Sequence, residues 1–134
     1  MKKGSYTDLK VFQQAYDLSL AIHRVSLEFP KIEQFGGIAD QLRRSSKSVC
    51  ANLVEGYAKQ SKSKPEFIRF LWMAIGSMDE TKLWIQYAHD LGYLQTKTHD
   101  EWTGQCQIIA AQMTKLAAHR LHNYLLSDVR CPLS

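Results

Sequence analysis

Four stretches of this chain repeat their apolar residues at alternating steps of four and three, and that habit leaves few folds open. Between about residues 8 and 29, Val11, Ala15, Leu18, Ile22, Val25 and Phe29 form the first such row. Steps of this kind place every member on one side of an α-helix and match the seam of helices packed side by side. Leu9, Phe12, Tyr16 and Leu20 add a second row beside it. The apolar face is wider than one bundle core needs, which makes Phe12, Tyr16 and Leu20 candidates for a contact between subunits. Pro30 disfavours helical geometry at Phe29 and helps to stop the helix.

The second stretch runs from about residue 38 to 60. Its row is Ile38, Leu42, Val49 and Leu53, with Ser45 at a small position and Gly56 at the end. Gly36-Gly37 supplies a flexible connector before it. The third stretch, 64–91, opens on Ser63-Lys64-Pro65-Glu66, with a capping serine, a first-turn proline and an acid placed for a capping box. Phe67, Leu71, Ala74, Met78, Thr81, Ile85 and Ala88 follow, and Gly92 suits the exit. The fourth stretch, 99–126, begins at the box Thr98-His99-Asp100-Glu101 and carries Trp102, Cys106, Ile109, Met113, Leu116 and Arg120. Residues 127–134, with Pro132, read as a loose tail.

Long amphipathic helices joined by short connections favour antiparallel neighbours. The expected fold is therefore all-α: an antiparallel, up-down-up-down four-helix bundle, a single domain over residues 1–134. No strand-like alternation or Asn-Gly or Asp-Gly hairpin turn argues otherwise. No apolar run nears the ~20 residues that span a bilayer. The start, Met1-Lys2-Lys3-Gly4-Ser5-Tyr6, lacks the apolar stretch of a signal peptide. A cytoplasmic protein with no membrane partner is expected. Cys50, Cys106 and Cys131 are odd in number and form no C-x-x-C pair, so reduced thiols are expected.

The usual routes to chemistry on such a scaffold are missing. A di-iron carboxylate bundle needs Glu-x-x-His on two helices, and the sequence has none. His119 and His122 lie three apart without an acid beside them, and His23 borders the apolar rows as a hydrogen-bonding boundary residue. Nucleophile-elbow, phosphate-loop and dinucleotide motifs are absent. No catalytic residue, cofactor, metal or small-molecule substrate is expected.

Two polar features remain. Gln41, Arg44, Ser48, Asn52 and Glu55 are spaced by three, four, four and three along the second helix, and Ser77 and Glu80 on the third could face them. Such a ribbon is either a structural network that fixes register or a site for a partner. The second feature is charge. Residues 31–64 hold seven cations (Lys31, Arg43, Arg44, Lys47, Lys59, Lys62, Lys64) against three acids (Glu33, Asp40, Glu55), so the chain's whole excess of +4 sits there. Arg43, Arg44, Lys47, Lys59, Lys62 and Lys64 make either a solvated helix face or a surface for the phosphates of RNA or DNA.

The run from Gln41 through Arg44-Ser45-Ser46-Lys47-Ser48 to Asn52-Leu53-Val54-Glu55-Gly56 resembles the signature of the four-helix-bundle family encoded in intervening sequences of bacterial 23S rRNA genes. So do Glu66-Phe67-Ile68-Arg69-Phe70-Leu71, Ala74-Ile75-Gly76-Ser77-Met78-Asp79-Glu80, the opening Tyr6-Thr7-Asp8-Leu9 and the turn Leu91-Gly92-Tyr93-Leu94. The stretch from Phe35 to Gln41 is a residue longer than that pattern. The resemblance implies a ring-shaped homopentamer with no enzymatic activity. It also implies a kinship with accessory proteins of diversity-generating retroelements, which bind nucleic acid. The expected function is that of a non-catalytic, self-assembling protein with nucleic acid or ribonucleoprotein as its ligand. A purely structural protein–protein adaptor is the alternative, with a metal-binding or enzymatic bundle behind it.

Overall fold

The computed structural model describes Tyr6 and residues 9–130, with backbone alone for 128–130. The helices are α1 (Lys10–Ser26), α2 (Ile38–Lys59), α3 (Lys64–Asp90) and α4 (Thr96–Arg130), with one 3-10 turn at Lys31–Glu33 ahead of α2. There is no strand among the described residues. α1 packs on α2, α2 on α3, α3 on α4, and α4 returns to α1 along a thinner seam. α1 does not meet α3, nor α2 α4, so these pairs stand at diagonal corners of an all-α, up-down-up-down bundle.

The periodic rows meet inside. Val11, Ala15, Leu18 and Ile22 bury against Leu42, Val49 and Leu53, then Phe67, Leu71, Met78 and Ile85, then Trp102, Cys106, Ile109 and Met113. Small side chains let α2 and α3 approach most closely. Ser45 and Ser46 are buried, and at Gly56 a Cβ would sit 3.2 Å from that of Phe70. Inside this contact Thr81 Oγ1 donates to Ser45 Oγ at 2.9 Å, so the polar atoms in the layer are paired.

The helix ends show where periodicity runs out. Ser63 Oγ accepts from the Glu66 N–H at 3.4 Å, the anticipated cap. α1 stops at Ser26 rather than Phe29, because the N–H groups of Glu28 and Phe29 bond three residues back and wind the chain into a tighter turn. Phe29 remains buried, its ring 5.4 Å from that of Tyr93. The Thr98 capping box is not used. The Gln95 carbonyl already accepts from the His99 N–H at 3.0 Å, so α4 is under way by Thr96. The residues read as a loose tail are helical as far as Arg130, and 131–134 lie outside the described residues. Gly36 and Gly92 take positive φ, +75° and +82°, where a side chain would be strained.

Candidate interaction surfaces

The polar ribbon on α2 becomes a short ladder between helices. Ser48 Oγ lies 2.9 Å from Ser77 Oγ on α3, and Asn52 Nδ2 donates to Ser48 O at 2.9 Å and Ser48 Oγ at 3.1 Å. The other candidates point elsewhere. Arg44 pairs with Asp40 one turn back at 3.1 Å, and Glu80 accepts from the Trp84 indole at 3.2 Å. Gln41 and Glu55 take no part among the described residues, and Glu55 is exposed. Neither Arg43 nor Arg44 reaches Glu80, since each of these side chains has a nearer partner.

Arg43 is no free phosphate contact. Its NH1 donates to Ser26 Oγ at 2.8 Å and to Gln34 Oε1 at 3.1 Å, and its NH2 donates to the Gln34 carbonyl at 2.9 Å. Gln34 in turn donates through Nε2 to the carbonyls of Ser26 (2.8 Å) and Phe29 (3.0 Å). One guanidinium thus clasps the end of α1 and the connector onto α2. Sequence pattern gave no sign of this, because Gln34 sits in an aperiodic loop.

One turn along, Lys47 Nζ donates to His23 Nδ1 at 3.0 Å, across from α2 to α1. An ammonium can only donate, so His23 is neutral there with its proton on Nε2. Loss of hydration, then Lys47, Arg43 and Arg24, hold the imidazole below its ordinary value. The cations at the other end, Lys59, Lys62 and Lys64, surround the α2–α3 turn. With 12 residues at ~1.5 Å rise, Lys59 lies about 18 Å from Lys47. The six basic residues are therefore one internal clasp, one ion-paired side chain and two separate patches.

Among the described residues, the exposed apolar side chains include a patch on α1 and a stripe on α3. On α1, Tyr6 packs edge-on against Phe12 (centroids 4.9 Å apart), and Phe12 stacks on Tyr16 (5.9 Å), which is 48% exposed. Leu20 extends this patch, half-buried. On α3, Trp72, Leu83 and Tyr87 are exposed by 47, 51 and 50%. At ~100° per residue they and Gly76 fall within about 60° of one another, on the side away from the buried row Phe67–Leu71–Ala74–Met78–Ile85. Glu80, at the edge of this stripe, binds the Trp84 indole. In the sequence the α3 stripe is masked, because its apolar residues interleave with those of the core row on the opposite face. Since α1 and α3 stand at diagonal corners, the two surfaces point away from each other.

The α1–α4 seam opens into a groove of about 380 Å³ lined by Gln14, Asp17, Leu18, Ala21, Trp102 and Ile109, among others. Gln14 Oε1 is buried there without a hydrogen-bond partner. Among the described residues, no three His, Cys, Asp or Glu side chains converge to hold a metal ion. The described cysteines are poor nucleophiles: burial raises Cys50 and pushes Cys106 up to about 12. Since the thiolate is the reactive form, Cys106 should resist iodoacetamide in the folded protein and react once denatured. Peptide mass spectrometry of the two samples would locate the label, and equal labelling of Cys106 in both would contradict its placement.

The sequence matches the 23S rRNA-intervening sequence protein family over residues 7–115. No curated protein matches it. A similar solved structure is that of a protein of unknown function from the S23 ribosomal protein family of Bacteroides thetaiotaomicron. It is 18% identical, covers 81% of this chain and 95% of its own, and superposes with a TM-score of 0.72, a likeness of fold. No described helix is long and apolar enough to cross a membrane.

Proposed function

The chain belongs to the 23S rRNA-intervening sequence protein family, and from that premise we propose that it acts by self-assembly and binding, without catalysis: a homo-oligomeric ring that offers its cationic edges to nucleic acid. The observation that carries this reading is the pair of unlike apolar faces on diagonal helices, the Phe12–Tyr16 surface of α1 and the Trp72–Leu83–Tyr87 stripe of α3. An interface made of one patch meeting its own copy gives a two-fold dimer. Two different patches on opposite sides join head to tail, and such contacts close into rings when the rotation allows. Five copies is the number that the family resemblance implies. Exposed large apolar side chains in contiguous stripes are what a subunit hides in its assembly.

Nucleic acid is the favoured ligand because the surplus charge lies along α2 and its exit, with Arg44, Lys47, Lys62 and Lys64 exposed. A ring would repeat each patch and add the fields of its copies. A protein adaptor that uses these cations only for solubility would assemble in the same way and ignore RNA.

Complementation tests the assembly. The intact 15.4 kDa chain should scatter light as a multimer near five copies. Tyr16→Glu and Leu83→Glu should each be monomeric, because burying a carboxylate without a partner costs several kcal/mol. Mixed in equal amounts, the two variants should give dimers, since each still carries the face that the other needs. A monomeric parent chain, or variants that remain full multimers, would refute the assignment.

A further inference from the structure

We infer that His23, Arg24 and Lys47 form a phosphate-binding site at the α1–α2 seam, which takes the backbone of single-stranded RNA and grips it more tightly as pH falls. The inference rests on the nucleic-acid reading above and gives it a place and a control.

The charge pattern around His23 is unusual in what surrounds it. Lys47 Nζ is 3.0 Å from the ring, and the charged groups whose fields reach it are Lys47 and Arg43 from α2 and Arg24 from α1. No carboxylate is among them. Arg43 spends its donors on neutral partners, Ser26 and Gln34. Among the described residues neither Arg24 nor Lys47 has an ion-pair partner, whereas Arg44 and Arg69 each have one. Arg24 and Lys47 thus stand beside the imidazole without an ion-pair partner and repel one another, while Asp40 offsets part of the Arg43 charge. An anion seated between them relieves that repulsion.

The geometry also says which anion. Lys47 offers an exposed ammonium, exposed Arg24 a planar fork, and half-buried His23 the Nε2–H that its bond at Nδ1 leaves as the ring's donor. Together these are donors only, at the seam between two helices. A phosphodiester, with two free oxygens and a fixed negative charge, suits such a set, and the open surface suits a chain running across it. At the far turn Lys59 instead lies in the field of the Glu66 carboxylate.

The pH response follows from linkage. In the free protein the surrounding cations oppose a charge on His23. A phosphate placed beside it reverses that field and favours the imidazolium, whose Nδ1–H can no longer accept from Lys47, so the ammonium is released onto the phosphate. A ligand that raises the proton affinity of a group is itself bound more tightly when that group is protonated. Affinity should therefore rise as pH falls through the histidine range.

The test is fluorescence anisotropy of a labelled single-stranded RNA dodecamer with the full chain at roughly 50 mM salt. The native sequence should bind several-fold more tightly at about pH 5.5 than at about pH 7.5. His23→Asn should abolish that difference and keep most of the affinity at the higher pH. Lys47→Gln and Arg24→Gln should each weaken binding several-fold, and tripolyphosphate should compete. The inference is overturned if His23→Asn keeps the pH response. It is equally overturned if Lys47→Gln and Arg24→Gln bind normally while a triple Lys59, Lys62, Lys64→Gln variant does not. Light scattering on the same samples separates the two proposals. Multimers that ignore RNA sink the site and the nucleic-acid reading and leave assembly standing, whereas monomers that bind RNA through His23 do the reverse.

Discussion

Phe67→Ala is expected to lower the free energy of unfolding by about 3–5 kcal/mol, the largest effect of any single truncation in this bundle. The ring is 1% exposed and sits where α2, α3 and α4 converge. It meets Tyr57 edge-on, with centroids 4.9 Å apart, and the Arg120 guanidinium lies 4.9 Å above it. Alanine removes the apolar area, strips Arg120 of its aromatic seat and leaves a void beside Gly56. The α2 backbone approaches Phe70 too closely at Gly56 to fill it. Urea denaturation should show a lower midpoint with unchanged slope. Both proteins must be compared at one chain concentration, because assembly adds to apparent stability. A loss below ~1.5 kcal/mol would mean that the neighbours collapse into the space, which rigid packing at three helices argues against.

Arg43→Met is expected to cost about 2–3 kcal/mol, because it removes three hydrogen bonds from a charged donor and leaves half-buried acceptors unpaired. Methionine preserves the apolar stem, so the loss reports on the fork itself. Ser26 Oγ and the Gln34 carbonyl would lose their donor together, and Gln34 would no longer hold the carbonyls at the end of α1. Lysine should recover little, since one ammonium cannot reach both partners as a planar fork does. Thermal unfolding of the three proteins decides it. If Arg43→Lys were as stable as the parent, charge at the seam would matter and the clasp would not.

Arg43 also marks the limit of what could be read from the sequence. By charge alone it stands with Lys47 among the candidate phosphate contacts. Its true partners lie 9 and 17 residues earlier, and one belongs to an aperiodic connector on which helical spacing is silent. The helices themselves were legible because burial demands a repeat near 3.6 residues. Leu42, Val49 and Leu53, and likewise Phe67 through Ala88, are buried where that repeat puts them. Ser48, Asn52 and Ser77 could be foreseen as a group because their spacing sets them beside the core. Arg44 and Glu80 satisfied the same spacing, yet their longer side chains reached nearer partners first. His23 looked like an ordinary boundary residue, since its significance comes from Lys47 across the seam, 24 residues away. The outer stripe of α3 is hidden in the sequence for the opposite reason. A helix with apolar residues on two faces has no clear polar side, so only the fold shows which row stays outside.

The thin seam between α1 and α4 has a consequence for how the molecule breathes. α1 is the shortest helix, 17 residues, and the groove beside Trp102 leaves it docked chiefly on α2. Opening it disturbs one well-packed neighbour instead of two, so hydrogen exchange should show α1 opening as a foldon at lower free energy than the α2–α3–α4 unit. The clasp and the His23–Lys47 bond both bridge the joint on which that opening turns. Whatever seats itself on α1, whether another subunit or a phosphate chain, would draw the foldon shut and be read elsewhere in the protein as a gain in cooperativity.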